Sequence, residues 1–334
     1  MLEFGAPIPM RLLWATIFVH AFSLMALAQS PIVDDKSPDV RPAAAGEAFD
    51  GVAAYELLKR TCELGPRASG SKGMLSQQAM LTDWFQQLGG QVALQKFTAR
   101  HPLNGQLVEM ANLGVRWHPD RKKRILLCCH YDTRPFPDSD KVNPRGVFVG
   151  ANDGASGVGL LGEFGRHLSA LDGKYGVDMI FFDGEELVYV AGRDPMFLGS
   201  QYFAQQYANR NWDVEYQFGI LVDMVGDKDL QIYYEGNSLR LAGRITKSIW
   251  AVAKQLEVKE FIAKQKHIIR DDHLPLNEIA RIPTCGIIDF DYPNEQTGNQ
   301  FWHTEQDTPD KCSAESLEKV GKVLLEWLRQ LQKL

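Results

Sequence analysis

Six short stretches of this 334-residue sequence concentrate side chains that can do chemistry. They are His130-Tyr131-Asp132, Gly150-Ala151-Asn152-Asp153-Gly154, Asp183-Gly184-Glu185-Glu186, Asp223, Asp271-Asp272-His273 and Phe301-Trp302-His303-Thr304. Each has a plain structural reading when taken alone. His130 could simply end a strand, Asp153 could cap a helix starting near Ser156, and Asp223 could cap a turn before Gly226. Glu185 and Glu186 could be solvated loop acids, and His303 a packed core histidine beside Trp302. Taken together they are hard to explain that way. Carboxylates gathered in a dry pocket repel one another unless a cation or shared protons hold them. One or two histidines among several carboxylates form an oxygen–nitrogen donor set. That set suits zinc in a catalytic site with an open position, and manganese or cobalt less well.

The elements around these stretches explain why they should meet. Alternating or continuous apolar runs predict strands at 91–97, 106–117, 124–129, 177–182, 218–222 and 284–290. Helical apolar spacing predicts helices at 53–64, 73–88, 158–171, 199–208, 238–256 and 314–334. Strands alternating with helices imply one α/β domain with a mostly parallel, mixed central sheet and helices on both faces. In such sheets ligands bind beyond the carboxyl ends of the strands, and the polar stretches follow the apolar runs. Gly154-x-Ser156 resembles a nucleophile elbow, but no strand immediately precedes it, so a serine hydrolase is a weak reading. His167, beside Arg166 on a helix, is expected at the surface.

Composition narrows the classes further. The chain is 45% hydrophobic and 23% charged, which is a globular composition. A net charge of −6 supplies no basic field for nucleic acid. Arg11 precedes an apolar run at 12–27, broken only by His20 and Ser23 and ending in Ala26-Leu27-Ala28. This reads as a secretory signal over residues 1–28, too short to span a bilayer comfortably. Residues 29–49 read as a disordered leader and 50–334 as the catalytic domain. The expected protein is exported, periplasmic or secreted, with no stable membrane anchor after cleavage. Cys62, Cys128, Cys129, Cys285 and Cys312 are odd in number and fit no metal knuckle, and Cys128 and Cys129 read as buried thiols.

In order, His130-Tyr131-Asp132, Gly150-Ala151-Asn152-Asp153, Phe181-Phe182-Asp183-Gly184-Glu185-Glu186 and Trp302-His303-Thr304 resemble the zinc aminopeptidase and glutaminyl cyclase superfamily. The resemblance runs from about Leu64 to the C-terminus and includes Gly65-Pro66-Arg67. It implies a zinc-exopeptidase-like fold, zinc on Asp153, Glu186 and His303, and Glu185 as general base. In the aminopeptidase branch, His130 and Asp223 would hold a second zinc. In the cyclase branch one zinc remains, and Asp223 would hydrogen-bond Asp271. Asp271-Asp272-His273-Leu274-Pro275-Leu276, Trp302 as a pocket wall and the long segment 187–198 resemble the cyclases. The form Asn152-Asp153-Gly154-Ala155-Ser156-Gly157 is closer to the peptidases, and the position matching the partner of Cys129 in the animal cyclase disulfide is Val158. The resemblance therefore implies a zinc-dependent glutaminyl cyclase acting on peptide or protein N-termini, with a di-zinc aminopeptidase as the alternative. A scaffold domain that has lost catalysis is disfavoured by the intact set of Glu185, Glu186 and His303.

Overall fold

The structure, a computed structural model, describes residues 40–209, 212–292 and 301–333. The expected signal and most of the expected leader lie outside the described residues. From Val40 the chain is already packed: the Ala43 amide donates to Arg166 O at 2.8 Å, and Ala43 and Phe49 are buried. The last part of the segment 29–49 is therefore ordered, because Phe49 gives it an aromatic anchor against Phe164 and His167. Among the described residues no helix is long and apolar enough to cross a membrane.

Helix α1 (Gly51–Glu63) starts where the Asp50 side chain accepts from the amides of Val52 and Ala53. It buries Ala54, Leu57, Leu58, Thr61 and Cys62, one face at helical spacing. Helix α2 (Lys72–Gln87) is capped by Ser71, whose hydroxyl accepts from Met74 N at 3.2 Å. Strands β1 (Gln91–Arg100) and β2 (Leu107–Trp117) form an antiparallel hairpin in register Arg100↔Leu107. The chain then alternates through β3 (Lys123–His130), α3 (Ala155–Leu168), β4 (Gly176–Phe182), α4 (Leu198–Asn209) and β5 (Glu215–Asp223). After β6 (Ile232–Glu235) come α5 (Gly236–Gln255), β7 (Phe261–His267), α6 (His273–Glu278), β8 (Thr284–Ile288) and α7 (Ala314–Lys333).

The main sheet has the order β1-β2-β4-β3-β5-β8. β4, β3, β5 and β8 are parallel, and the β1–β2 hairpin joins antiparallel at one edge. The pleat divides β3 between two cores. Ile125, Leu127 and Cys129 pack with residues of α1, α2, α3 and α7, while Leu126 and Cys128 pack with Phe203 and Ala204 of α4 and Leu276 of α6. Both faces are thus covered, as parallel strands require. Helix α3 runs so close to α1 that a Cβ on Gly159 would lie 2.5 Å from Ala54 O. Truncating one of these packed leucines, such as Leu127→Ala, would cost about 2–5 kcal/mol.

Two features depart from expectation. His167 is buried rather than exposed, stacked on Phe49 at 6.2 Å with Nε2 3.3 Å from Glu163 Oε1. Helix α3 lies inside the molecule and is buried on nearly every side, so a polar neighbour does not mark its surface. The parallel pair β6–β7 has no counterpart in the sequence reading. β6 has only four residues, and the middle of β7 is solvent-exposed, so neither carries an apolar run. The five cysteines are free and buried, and burial pushes the Cys62 and Cys285 thiols up to about 12.

Candidate active site

The polar stretches converge beyond the carboxyl ends of β3, β4 and β5. β3 ends at His130, and the next acid, Asp132, is fully buried. Asp132 Oδ1 accepts from Glu185 N at 3.2 Å and Oδ2 from Glu186 N at 2.9 Å, so the loop after β3 shapes the loop after β4. Asp183 is fixed in turn by Ser69 Oγ at 2.7 Å and Ala111 N at 2.9 Å. Burial raises its carboxyl to about 7, helped by the charge of Asp132. The Gly150–Gly154 loop is held by two residues outside the six stretches. Arg67 Nη2 donates to Gly150 O at 3.1 Å, and the Asp307 carboxylate accepts from the amides of Asn152 and Asp153 at 2.8 and 3.1 Å. Gly154 has φ +93, and a Cβ there would meet Asp132 O at 3.0 Å and His130 Cε1 at 3.1 Å, so this turn requires glycine.

These loops bring the predicted side chains together. His303 Nε2 lies 2.8 Å from Glu186 Oε1 and 3.3 Å from Asp153 Oδ2. His130 Nε2 lies 3.2 Å from both Asp153 Oδ1 and Asp223 Oδ1. Asp153 thus presents one oxygen to each imidazole. Among the described residues, Asp153–Glu186–His303 and His130–Asp153–Asp223 each gather three donor atoms within 4.8 Å of one another. Asp153 Oδ2 is buried and makes no hydrogen bond, although His303 Nε2 is near. A buried carboxylate oxygen without a donor, facing an imidazole nitrogen and a second carboxylate, fits a cation, and the donor set fits a single zinc ion.

Electrostatics separates the members of the cluster. Burial alone would raise Asp153, but the imidazoles of His130 and His303 hold its carboxyl well below the usual range. Burial would likewise lower His303, yet the charge of Glu186 and contacts with Asp138 and Asp153 push it up to about 10. Glu185 is raised well above its ordinary value by burial and then by the charge of Glu186. Asp223 rises to about 7, mainly by burial, with His130 opposing and Asp271 reinforcing the rise. Asp271 is raised by burial as well. Asp271 Oδ1 accepts from Asp272 N at 2.6 Å, and Asp223 Oδ1 lies 3.2 Å from His130 Nε2.

Several nearby groups are occupied elsewhere. His273 Nε2 lies 3.3 Å from Glu235 Oε2, and Glu235 caps α5. Asp272 accepts from Ser200 Oγ at 2.5 Å. Ser156 donates to Asn152 O at 2.5 Å and accepts from Val225 N at 3.1 Å, so its hydroxyl is structural. Trp302 stacks on His303 at 3.7 Å and meets Phe290 edge-on. Sequence reasoning missed Asp307, Arg134 and Asp138, which hold the loops or touch the cluster. Arg134 does follow the His130-Tyr131-Asp132 string by two positions, the one signal that could have flagged it.

The profile of Peptidase family M28 matches residues 112–328. A glutaminyl cyclase of Fimbriiglobus ruber is 35% identical with a TM-score of 0.80, covering 86% of this chain and 97% of that one. The glutaminyl cyclase of Porphyromonas gingivalis is 30% identical with a TM-score of 0.80, covering 86% and 100%. A leucine aminopeptidase precursor from Bacteroides thetaiotaomicron is 33% identical with a TM-score of 0.77, covering 85% and 98%. The family match, the shared fold and the ordered motifs together make the chain a member of peptidase family M28, of the glutaminyl-cyclase type.

Proposed function

We propose that the chain is an exported, zinc-dependent glutaminyl cyclase that converts the N-terminal Gln of peptides to pyroglutamate and releases ammonia. Asp153, Glu186 and His303 would hold the zinc. When bound, zinc supplies Lewis-acid polarisation of the side-chain amide carbonyl. Glu185 takes a proton from the α-amine as that nitrogen bonds to the amide carbon, and returns it to the departing nitrogen as the C–N bond breaks. Atoms balance without water: one peptide enters, and one pyroglutamyl peptide and one ammonia leave. Attack is intramolecular, so holding the Gln side chain curled supplies much of the rate. Trp302, stacked beside His303, would wall the curled chain. Asp223 and Asp271 would share a proton and hold the leaving nitrogen.

The observation that carries this reading is Asp271, a buried carboxyl whose charge reinforces the raised state of Asp223. Two such acids resist joint ionisation and suit proton handling. The similarity to solved glutaminyl cyclases over most of both chains supports it. A second reading, a di-zinc aminopeptidase, is favoured by one specific observation: His130 Nε2 lies 3.2 Å from both Asp153 and Asp223. Incubating the zinc-loaded protein with a Gln-led dipeptide and following ammonia decides between them. The cyclase reading expects ammonia and no free amino acid. Free amino acids from a Leu-led dipeptide, with no ammonia from the Gln-led one, overturn it.

A further inference from the structure

Glu186 and His303 reach the cluster from two loops far apart in sequence, yet one ion pair touches both. The Arg134 guanidinium donates through Nε to Asp138 Oδ1 at 2.7 Å and through Nη2 to Asp138 Oδ2 at 3.2 Å. Its third nitrogen, Nη1, donates to Glu186 Oε1 at 3.0 Å, and its backbone amide donates to Glu186 Oε2 at 2.9 Å. Asp138 Oδ1 in turn lies 3.3 Å from His303 Nδ1. Arg134, Glu186 and His303 are each at most 3% exposed. The geometry points to Arg134 and Asp138 as positioning residues: one brace that presets Glu186 and His303 for zinc.

The chemistry of each contact supports this role, which rests on reading Glu186 and His303 as zinc ligands. A carboxylate at Nδ1 keeps the proton on that nitrogen and leaves Nε2 free to face Asp153 and Glu186. His303 also needs such support locally, because its φ of +55 is costly for a residue with a Cβ. Ser139 N donates to His303 O at 3.1 Å, so the segment carrying Asp138 secures the backbone as well as the ring. Both Glu186 oxygens accept from Arg134, Oε1 from Nη1 and Oε2 from the backbone amide. Only a planar guanidinium can serve Asp138 with two nitrogens and Glu186 with a third; a lysine offers one point charge. The pair is neutral overall, so it orients both ligands without altering the net charge around the metal.

The test is zinc affinity, measured by competition with a chromogenic chelator on proteins whose thermal unfolding confirms the fold. Asp138→Asn and Arg134→Lys are each expected to weaken zinc binding about 10–100-fold, the range for outer-shell partners. The double variant is expected to be no weaker than the worse single one, since both remove the same brace. Wild-type zinc affinity in both single variants overturns the proposal, and so do losses that multiply in the double variant. His303→Ala separates the two levels of the argument. If it binds zinc like wild type, the ligand assignment itself fails. If it loses zinc while Asp138→Asn and Arg134→Lys do not, the ligands stand and the brace fails. Asp138 is partly exposed, so its variant remains informative if Arg134→Lys folds poorly.

Discussion

Opposite ends of the same strands treat buried acids differently. At the starts of β3, β4 and β5, Asp178 accepts from Arg116 twice at 3.0 Å, from Arg124 at 2.7 Å and from Tyr216 Oη at 2.6 Å. One acid there has two resident cations, and Arg124 Nη1 and Nη2 also donate to the carbonyls of Trp117, His118, Arg121 and Val177. At the carboxyl ends, Asp132, Asp153, Asp183, Glu185, Glu186, Asp271 and Asp272 are buried with Asp223 beside them. Among the described residues, Arg134 and the imidazoles of His130 and His303 make the ion-pair contacts to this group. The acid of the first cluster is matched by cations the chain itself supplies. The second needs cations or protons from outside, which is the mark of a working site and a cost to stability.

That contrast can be broken in graded ways. Glu185→Gln should cut turnover most, by about 10²–10⁴-fold, while zinc stays bound, because a positioned proton acceptor is lost and no ligand is removed. Steady-state rates with metal analysis check this, and retained turnover would contradict the assigned base. Asp178→Ala should do the reverse: destabilise by about 3–5 kcal/mol in urea unfolding while leaving zinc affinity untouched, because Arg124 is left buried without its partner. A cost below about 1 kcal/mol would show that the start of the sheet is not held this way.

The smallest expected effect is at Asp227, in the loop after β5. Its Oδ1 accepts from Asp229 N at 3.1 Å, its Oδ2 is buried without a partner, and burial raises the carboxyl from 3.8 to about 6. A raised acid favours the folded state fully below its unfolded value and loses that contribution as pH rises through the folded one. Asp227→Asn should therefore add about 1 kcal/mol of stability above about pH 7 and nothing below about pH 4, after allowing for solvent screening. Unfolding curves at the two pH values test the sign. A gain of equal size at both would rule out titration as the cause.

Much of the working end was legible because it is built from short strings placed after apolar strands. Asp153, Glu185, Glu186 and His303 stand out by type and position, and the alternation of β3, β4 and β5 with helices forces them together. The supporting residues were not legible for a physical reason. Asp307 acts by accepting two backbone amides, and Arg134 and Asp138 act through a loop with no periodicity, so nothing in their spacing announces a partner. Charge sums also hide the contrast between the two ends, since Asp178 and Asp183 look alike in sequence and differ only in what surrounds them. The contact of Asp223 with His130 is likewise a matter of side-chain placement that strand ends alone do not settle.

The central claim is that the His303 half of the cluster takes one zinc while the His130 half handles protons. Equilibrium zinc titration of the wild-type chain and of His130→Ala and His303→Ala, read as tightly bound metal per chain, tests it most directly. The account predicts one zinc in wild type, one in His130→Ala and none in His303→Ala. Two tight zincs in wild type, with one lost in His130→Ala, would contradict it and make the second half a metal site.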